Sequence, residues 1–284
     1  MNLHIIKAET WKIDGGVCFG VVPKSIWGKA SISDENNLIT ICNRLLLVET
    51  NDRKVLIDTG FGNKQSEKYY SFKYIQTNHS LEDALNKVGF DIEEITDVIF
   101  THLHDDHCGG ASFFNKENKE VEFVFKNANY WISKSQWNSA MNPNKREMVA
   151  FLKENFLILE KINKLNLITE EKEIIPNISI RIFNGHTTGQ IIPIINYQGR
   201  KIVYIADFIP SISHIPLPYI ASVDVRPLLT LKEKEDFLKE AVEKNYTLFF
   251  EHDAKNECCK LKNTTKGIRV SKTFKLDKWI KEKQ

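Results

Sequence analysis

The chain has 284 residues, of which 42% are hydrophobic and 27% charged, so it can bury a sizeable core and is not expected to be disordered. The formal net charge is only +2, which excludes a general electrostatic attraction to nucleic acid or anionic membranes. No stretch approaches about 18 apolar residues, and the N-terminus lacks a signal-peptide pattern. The five cysteines have no zinc-finger spacing. We therefore expect one cytoplasmic domain over residues 1–284, with no membrane segment.

Short β-rich runs alternate with helical patterns along the chain. The first two runs, 39–49 and 54–58, flank a polar break and predict a hairpin. A capping-box pattern at Ser80 predicts a helix that ends near residue 88. Further strands are expected at 97–101, 121–125, 178–183, 191–196, 201–206 and 246–250, and helices at 146–162 and 231–244. The alternating apolar residues of 268–276 indicate an edge strand guarded by lysines.

Four segments with metal-binding side chains each follow a predicted strand. They are residues 102–107, 186, 207 and 252. Loops at the carboxyl ends of strands are where α/β folds place their chemistry. Several strands that direct such residues to one edge of a sheet would assemble a single site from distant parts of the chain.

The first of these segments is His-X-His-X-Asp-His over residues 102–107. Imidazole and carboxylate groups suit zinc and neighbouring divalent metals. In an extended turn His102 and His104 point the same way and can chelate one ion, while Asp106 and His107 turn toward a second ion. The Gly109-Gly110 pair that follows is expected to let the backbone bend sharply.

The remaining ligands must come from other strand ends. His186 lies in a glycine-flanked turn, His252 follows the apolar run 248–250, and Asp207 follows the apolar run 203–206. A carboxylate at the end of a buried strand is costly unless it is paired or binds a metal. We therefore predict that all three are metal ligands.

These residues, in this order and with these strand contexts, resemble the ligand series of the metallo-β-lactamase superfamily. The resemblance runs from about residue 39 to about residue 253 and implies an α/β fold, the αββα sandwich with two mixed β-sheets flanked by helices. It implies that His102, His104 and His186 hold one ion. It further implies that Asp106, His107 and His252 hold a second ion, with Asp207 bridging the two.

A second resemblance lies nearer the N-terminus. Residues 14–27 read Asp-Gly-Gly-Val-Cys-Phe-Gly-Val-Val-Pro-Lys-Ser-Ile-Trp and are similar to the N-terminal segment of YtnP-like proteins. These proteins form a branch near the quorum-quenching N-acyl-homoserine lactone lactonases, which carry the same seven ligands. The resemblance favours a lactonase, and a homodimer with residues 20–27 as a candidate contact.

The chain departs from those lactonases at one position. They carry a tyrosine three residues past the bridging aspartate that helps to hold the substrate carbonyl, and here that position is Pro210. His214 and Tyr219, from the same loop, are the candidate substitutes. Phe19 and Trp27 are candidates for an apolar wall of the substrate site.

The expected mechanism uses two divalent ions, with zinc as the default metal and manganese, cobalt or iron as alternatives. A hydroxide that bridges the ions would attack the lactone carbonyl, and Asp106 would orient the water and pass a proton to the leaving oxygen. The alternative is another ester, thioester or phosphotriester hydrolase of the same superfamily. A redox role is disfavoured because flavodiiron proteins favour glutamate at the position of His104. Residues 255–284 carry seven more basic than acidic residues, which we assign to the guarded edge strand, and no nucleic-acid partner is expected.

Overall fold

The structure is a computed structural model that describes residues 1–77 and 79–282. The chain folds into two compact units. The first unit comprises Met1–Glu9 and Asn43–Glu170, and the second comprises Thr10–Cys42 and Glu171–Gln284. No helix in the described part of the chain is long and apolar enough to cross a membrane.

Fifteen β-strands occur within the described residues and form two large sheets and one hairpin. The strands are β1 (Asn2–Asp14), β2 (Leu38–Glu49), β3 (Lys54–Ile57), β4 (Asp97–Ile99), β5 (Ser112–Asn115), β6 (Glu120–Phe123), β7 (Asn129–Ser133), β8 (Leu165–Ile168), β9 (Glu173–Ile175), β10 (Ile178–Phe183), β11 (Gln190–Tyr197), β12 (Arg200–Tyr204), β13 (Thr247–Phe249), β14 (Cys258–Thr264) and β15 (Gly267–Phe274).

The α-helices in the described residues are mostly short. They are α1 (Gly15–Phe19), α2 (Lys24–Trp27), α3 (Glu67–Lys73), α4 (Leu81–Asn86), α5 (Asp105–Cys108), α6 (Lys134–Met141), α7 (Pro227–Glu243) and α8 (Leu276–Lys281). The predicted capping box opens α4, where the Ser80 and Asp83 side chains each accept from the other's backbone N–H. The helix expected at 231 begins earlier, at Pro227, because proline is tolerated in a first helical turn.

The first large sheet has the strand order β1-β2-β3-β4-β7-β8. The predicted hairpin is confirmed: β2 and β3 are antiparallel, with Leu46 opposite Ile57. β3, β4, β7 and β8 then pair in parallel. The parallel strand β4 is buried throughout, which is typical of a strand covered on both faces.

The second large sheet has the order β15-β14-β13-β12-β11-β10-β9. β11 and β12 pair around Gln198 and Gly199, which both adopt positive φ as a tight hairpin turn requires. β12 and β13 are parallel, whereas their outer neighbours are antiparallel. β15 lies at the edge, as the apolar alternation of the tail predicted. Two mixed sheets with helices confirm the α/β class.

The helix predicted at 146–162 is wrong. This segment contains turns and two short 3₁₀ helices, Lys153–Asn155 and Leu157–Lys161. Phe156 and Leu159 are buried in the core of the first unit, and Glu147 and Phe151 are also buried. Residues that would lie on several sides of a regular helix are buried here. Their burial outweighs the helical periodicity, because no single helical face could cover them all.

Candidate metal centre

Four strands carry the predicted metal-binding residues, and in each case the first of these residues lies three positions after the strand ends. β4 ends at Ile99 and is followed by His102, and β10 ends at Phe183 and is followed by His186. In the same way, β12 is followed by Asp207 and β13 by His252. The interpretation of these segments as strand-end loops is therefore confirmed.

The first candidate group consists of four residues of the first unit: His102, His104, Asp106 and His107. The ring centroid of His102 lies 4.5 Å from that of His104 and 3.9 Å from that of His107. Asp106 Oδ2 is 3.5 Å from His107 Nε2. All four side chains are buried or nearly so. The structure thus brings these residues together as predicted.

Neighbouring side chains fix the tautomers of His102 and His107. The Thr101 hydroxyl donates to Asp58 Oδ2 at 2.6 Å, so its oxygen accepts from His102 Nδ1 at 3.0 Å. His107 Nδ1 lies 3.0 Å from the same Asp58 oxygen and donates to it. With Nδ1 engaged in both rings, Nε2 is the nitrogen presented for metal binding.

Asp58 itself has a strained backbone, with φ of 58°. Its carboxylate accepts from the Thr101 N–H at 2.7 Å as well as from the hydroxyl and the His107 ring. Charge-assisted hydrogen bonds of this kind offset a left-handed conformation that costs about 1–3 kcal/mol in a non-glycine residue. Asp58 therefore connects the end of β3 to the His-rich loop.

Asp105, next to Asp106, is directed elsewhere. Its carboxylate accepts a hydrogen bond from the Tyr69 hydroxyl and pairs with Lys73 at 2.7 Å. Burial and the Asp105 charge raise the pKa of Tyr69, so the phenol stays protonated and acts as the donor. Asp105 thus ties helix α5 to helix α3.

The glycines after His107 have a different role from the one predicted. Gly109 has an ordinary helical φ of −60°, so it does not provide a sharp bend. A Cβ atom at Gly109 would clash with the Phe61 carbonyl, and one at Gly110 with the Thr59 carbonyl. Both positions need glycine because two backbone segments pass close together there.

The second candidate group consists of three residues of the second unit: His186, Asp207 and His252. Asp207 Oδ1 is 2.6 Å from His252 Nε2, and Asp207 Oδ2 is 3.2 Å from His186 Nε2. Each carboxylate oxygen therefore faces a different histidine. The backbone before Asp207 is strained, since Ala206 has φ of 42°.

The histidines of the second candidate group are also held through Nδ1. His186 Nδ1 donates to Asp224 Oδ1 at 2.9 Å, and His252 Nδ1 donates to the Cys42 carbonyl at 2.9 Å. Burial lowers the pKa of His186, but the Asp207 and Asp224 carboxylates outweigh it and raise the pKa to about 10. The two carboxylates beside His186 therefore favour a positive charge at this place, which the protonated ring supplies when no metal ion is bound.

The predicted substrate-contacting residues form one cluster in the second unit. The Phe19 ring stacks on Trp27 at 5.1 Å and on His214 at 4.9 Å, and Tyr219 meets its edge at 6.5 Å. Phe19, Trp27 and His214 are at most 2% exposed, whereas Tyr219 is partly exposed. Burial lowers the pKa of His214 to about 4, so the ring is neutral near pH 7. A substrate role for these residues stays a prediction.

Sequence reasoning missed three residues that orient the histidines: Asp58, Thr101 and Asp224. Asp58 had a usable signal, because it is an acidic residue directly after an apolar run, as Asp207 is. Asp224 lies in a loop 38 residues from His186, and nothing in the local pattern marks it.

Comparison with known proteins supports this interpretation. Residues 43–252 match the Metallo-beta-lactamase superfamily. The chain is 25% identical over 235 residues to an N-acyl homoserine lactonase from Bacillus cereus, which covers 78% of this chain and 85% of that protein. It is 27% identical over 187 residues to an RNase J-like protein from Methanocaldococcus jannaschii, but that match spans only 38% of the archaeal protein.

Two solved structures show the same fold over almost the whole chain. A probable metal-dependent hydrolase from Staphylococcus aureus has a TM-score of 0.87 and 27% identity, with 96% of both chains covered. AidC, a dizinc quorum-quenching lactonase, has a TM-score of 0.78 and 22% identity, with 96% of this chain and 95% of AidC covered. Because the family match includes well over half of the residues, the chain belongs to the metallo-beta-lactamase superfamily and is a metal-dependent hydrolase.

Proposed function

We propose that the protein is a dinuclear metal-dependent lactonase that opens N-acyl-homoserine lactones and thereby quenches quorum signals. The observation that carries the proposal is the position of Asp207, whose two oxygens face His186 and His252 separately. A carboxylate with one oxygen toward each of two histidines is suited to bridge two ions. The similarity to the Bacillus cereus lactonase along 85% of its length supports the choice of substrate.

The donor atoms of the two candidate groups fit two divalent ions. Together the groups offer five imidazoles and two carboxylates, a nitrogen and oxygen set that suits zinc, manganese, cobalt or iron. In the proposed arrangement His102, His104 and His186 hold one ion and Asp106, His107 and His252 the other, with Asp207 between them.

The ions, when bound, would lower the pKa of a water molecule and polarise the substrate carbonyl. The residues of the chain then have separate tasks. Asp106 is fixed by its backbone, because its carbonyl accepts from the Asn43 side chain at 3.1 Å. A carboxylate held at this place can orient the attacking water and carry its proton to the leaving oxygen.

On the substrate side we propose that Tyr219 takes the place of the tyrosine missing at Pro210. His214 is less suited, because its Nε2 donates to the Cys18 carbonyl and its Nδ1 accepts from the Ser211 hydroxyl. Tyr219 is partly exposed, and its backbone carbonyl is held by the ammonium group of Lys234 at 2.7 Å. Phe19 and Trp27 then serve as the buried platform beneath it. The proposed homodimer stays a prediction.

A substrate panel tests this function. The purified protein is stripped of metal, reconstituted separately with zinc, manganese and cobalt, and assayed with an N-acyl-homoserine lactone, an aryl ester, a phosphotriester and a glutathione thioester. We expect the lactone to give a kcat/KM at least about tenfold above the other substrates, about 1.4 kcal/mol of selectivity. The Asp207→Ala variant serves as the inactive control. A higher kcat/KM for the ester, phosphotriester or thioester would reassign the substrate class.

A further inference from the structure

We propose that a basic pocket in the second unit binds a small soluble anion that carries two phosphate groups. The pocket is a cavity of about 830 Å³, and one acidic residue, Glu282, lies in its lining. The inference does not depend on the proposed lactonase function. The basic residues that define the pocket are Arg200, Lys201, Lys244, Lys260 and Lys272.

The basic pocket lies at the opposite end of the strands from the candidate metal ligands of this unit. Arg200 and Lys201 open β12, whose far end leads to Asp207. Tyr246, which also lines the pocket, precedes β13, and β13 runs parallel to β12 and leads to His252. A strand of five residues such as β12 is roughly 13–17 Å long. A ligand in the pocket would therefore bind apart from Asp207 and His252.

Like charges face each other across two strands that line the basic pocket. Lys260 on β14 is paired in register with Lys272 on β15. Side chains directly opposite each other in an antiparallel pair point to the same face, and like charges at such positions are destabilising. Burial, together with the charges of Lys272 and Arg200, lowers the pKa of Lys260. An anion placed between these groups would offset their repulsion.

Two of the basic side chains have an acidic partner. Lys244 pairs with Glu240 at 2.9 Å. Lys272 Nζ is 3.7 Å from Glu282 Oε1, and 55% of the Lys272 side chain is exposed. Because an exposed pair at such a distance contributes little, Lys272 remains available to a ligand.

The other three basic side chains contact neutral groups. Arg200 donates to the Trp279 carbonyl at 2.8 Å and lies 4.2 Å from the centroid of the Trp279 ring. Lys201 lies over an aromatic ring of the same pocket, and Lys260 donates to the Asn245 carbonyl. These contacts position the side chains without cancelling their charge, so the basic pocket keeps an excess of positive charge.

The size and charge of the basic pocket favour a phosphorylated small molecule. Cavities of about 300–1,000 Å³ suit small organic ligands. Arginine binds phosphate through two parallel N–H bonds, and lysine binds it as a point charge. Two phosphate groups are favoured because the cations come from different strands and cannot all surround one group. A nucleic acid would instead follow an extended basic surface, which would include Lys262 and Lys266 outside the pocket.

Calorimetric titration of the metal-loaded protein tests the proposal. The probe is fructose 1,6-bisphosphate, and fructose is its uncharged control. The test variant combines Lys201→Gln with Lys272→Gln, two exposed residues of the basic pocket. The control variant combines Lys262→Gln with Lys266→Gln, which removes the same charge from exposed positions on the hairpin of β14 and β15 outside the pocket.

We expect the wild type to bind the bisphosphate and not fructose. The affinity should fall at least about tenfold in the test variant, because two charge-assisted contacts are lost. The control variant should stay within about threefold of the wild type, because salt screens charges outside the pocket.

The absence of binding, or equal affinities of the test variant and the wild type, would overturn the proposal. Equal affinities would mean that the bisphosphate binds elsewhere, such as the candidate metal centre. A DNA oligonucleotide that binds more tightly than the bisphosphate, and is weakened equally in both variants, would overturn it in favour of a nucleic-acid surface.

NMR of the lysine side chains in the wild-type protein gives a reading that needs no variant to fold. The signals of Lys260 and Lys272 should shift when the bisphosphate is added and stay in place with fructose. Signals that do not respond to the bisphosphate would contradict the proposal.

Discussion

Asp58 accepts a hydrogen bond from His107 across 49 residues of sequence, with Oδ2 3.0 Å from Nδ1 and both side chains fully buried. This contact joins the end of β3 to the loop after β4. Similar contacts hold His186 to Asp224 and His102 to Thr101. The histidines of the candidate groups are therefore oriented by protein partners before any metal binds, which reduces the entropic cost of binding an ion.

The Asp58→Asn variant should bind one metal ion about 10–100-fold more weakly. This is the ion that we propose is held by Asp106, His107 and His252. Asparagine keeps the shape but removes the negative charge that favours an Nδ1-protonated ring. Zinc affinity measured by chelator competition checks this, with the exposed Asp52→Asn as the control. Two ions bound as tightly as in the wild type would refute a role for Asp58 in metal binding.

The Asp224→Asn variant should bind the other metal ion more weakly by a similar factor. This is the ion that we propose is held by His102, His104 and His186. The Asp224 carboxylate contacts His186 Nδ1 at 2.9 Å and is only 4% exposed, so its charge acts on the ring with little screening by water. Cobalt-substituted protein, titrated with chelator and followed by its visible spectrum, reports the loss. The exposed Asp236→Asn on α7 should match the wild type, and an equal response of the two variants would argue against the assignment.

The buried ring of His214 should make the protein less stable in acid. Its pKa is about 4 in the folded protein because burial disfavours the charged form, compared with an ordinary value of 6.5 when unfolded. Between these values the unfolded chain binds a proton that the folded chain does not. The stability that comes from keeping His214 neutral is therefore fully present well above pH 6.5. The free energy of unfolding falls by about 3 kcal/mol as the pH is lowered to 4.

The His214→Gln variant isolates this effect from that of other titrating groups. Urea unfolding of both metal-free proteins at pH 7, 6, 5 and 4 gives the difference in unfolding free energy at each pH. We expect the advantage of the wild type to shrink by about 3 kcal/mol toward pH 4. A difference that is constant with pH would show that His214 is not held neutral in the fold.

Lys234 is a buried cation whose loss should destabilise the second unit. Its ammonium group donates to the carbonyls of His214, Pro216 and Tyr219, and burial lowers its pKa to about 8. Lys234→Met keeps the length but leaves three carbonyls without this donor. We expect a loss of about 2–4 kcal/mol in unfolding free energy by urea denaturation. The exposed Lys232→Met is the control, and equal stability of both variants would contradict the role of Lys234.

The parts of the fold that were predictable have local signals. The strand-end positions of His102, His186, Asp207 and His252 follow from apolar runs that stop where metal-binding side chains begin. The capping box at Ser80 and the tight turn at residues 198–199 depend on neighbouring residues alone, and the structure confirms both.

The remainder depends on contacts between distant residues. Asp224 orients His186, which lies 38 positions away, and no periodicity marks such a pair. The segment 146–162 has helical spacing, but it forms turns and two short 3₁₀ helices. Phe19 and Trp27, predicted as a wall of the substrate site, are buried in a stack with His214, and this burial could not be predicted from their spacing.

A titration of lactonase activity with metal tests the proposed dinuclear mechanism. Metal-free protein receives zinc in increments, and the rate of opening of an N-acyl-homoserine lactone is measured at each step. We predict a rate that reaches its maximum at two zinc ions per chain in the wild type and stays near background in Asp207→Ala. Full activity at one ion per chain, activity in the absence of metal, or a wild-type level in Asp207→Ala would contradict it.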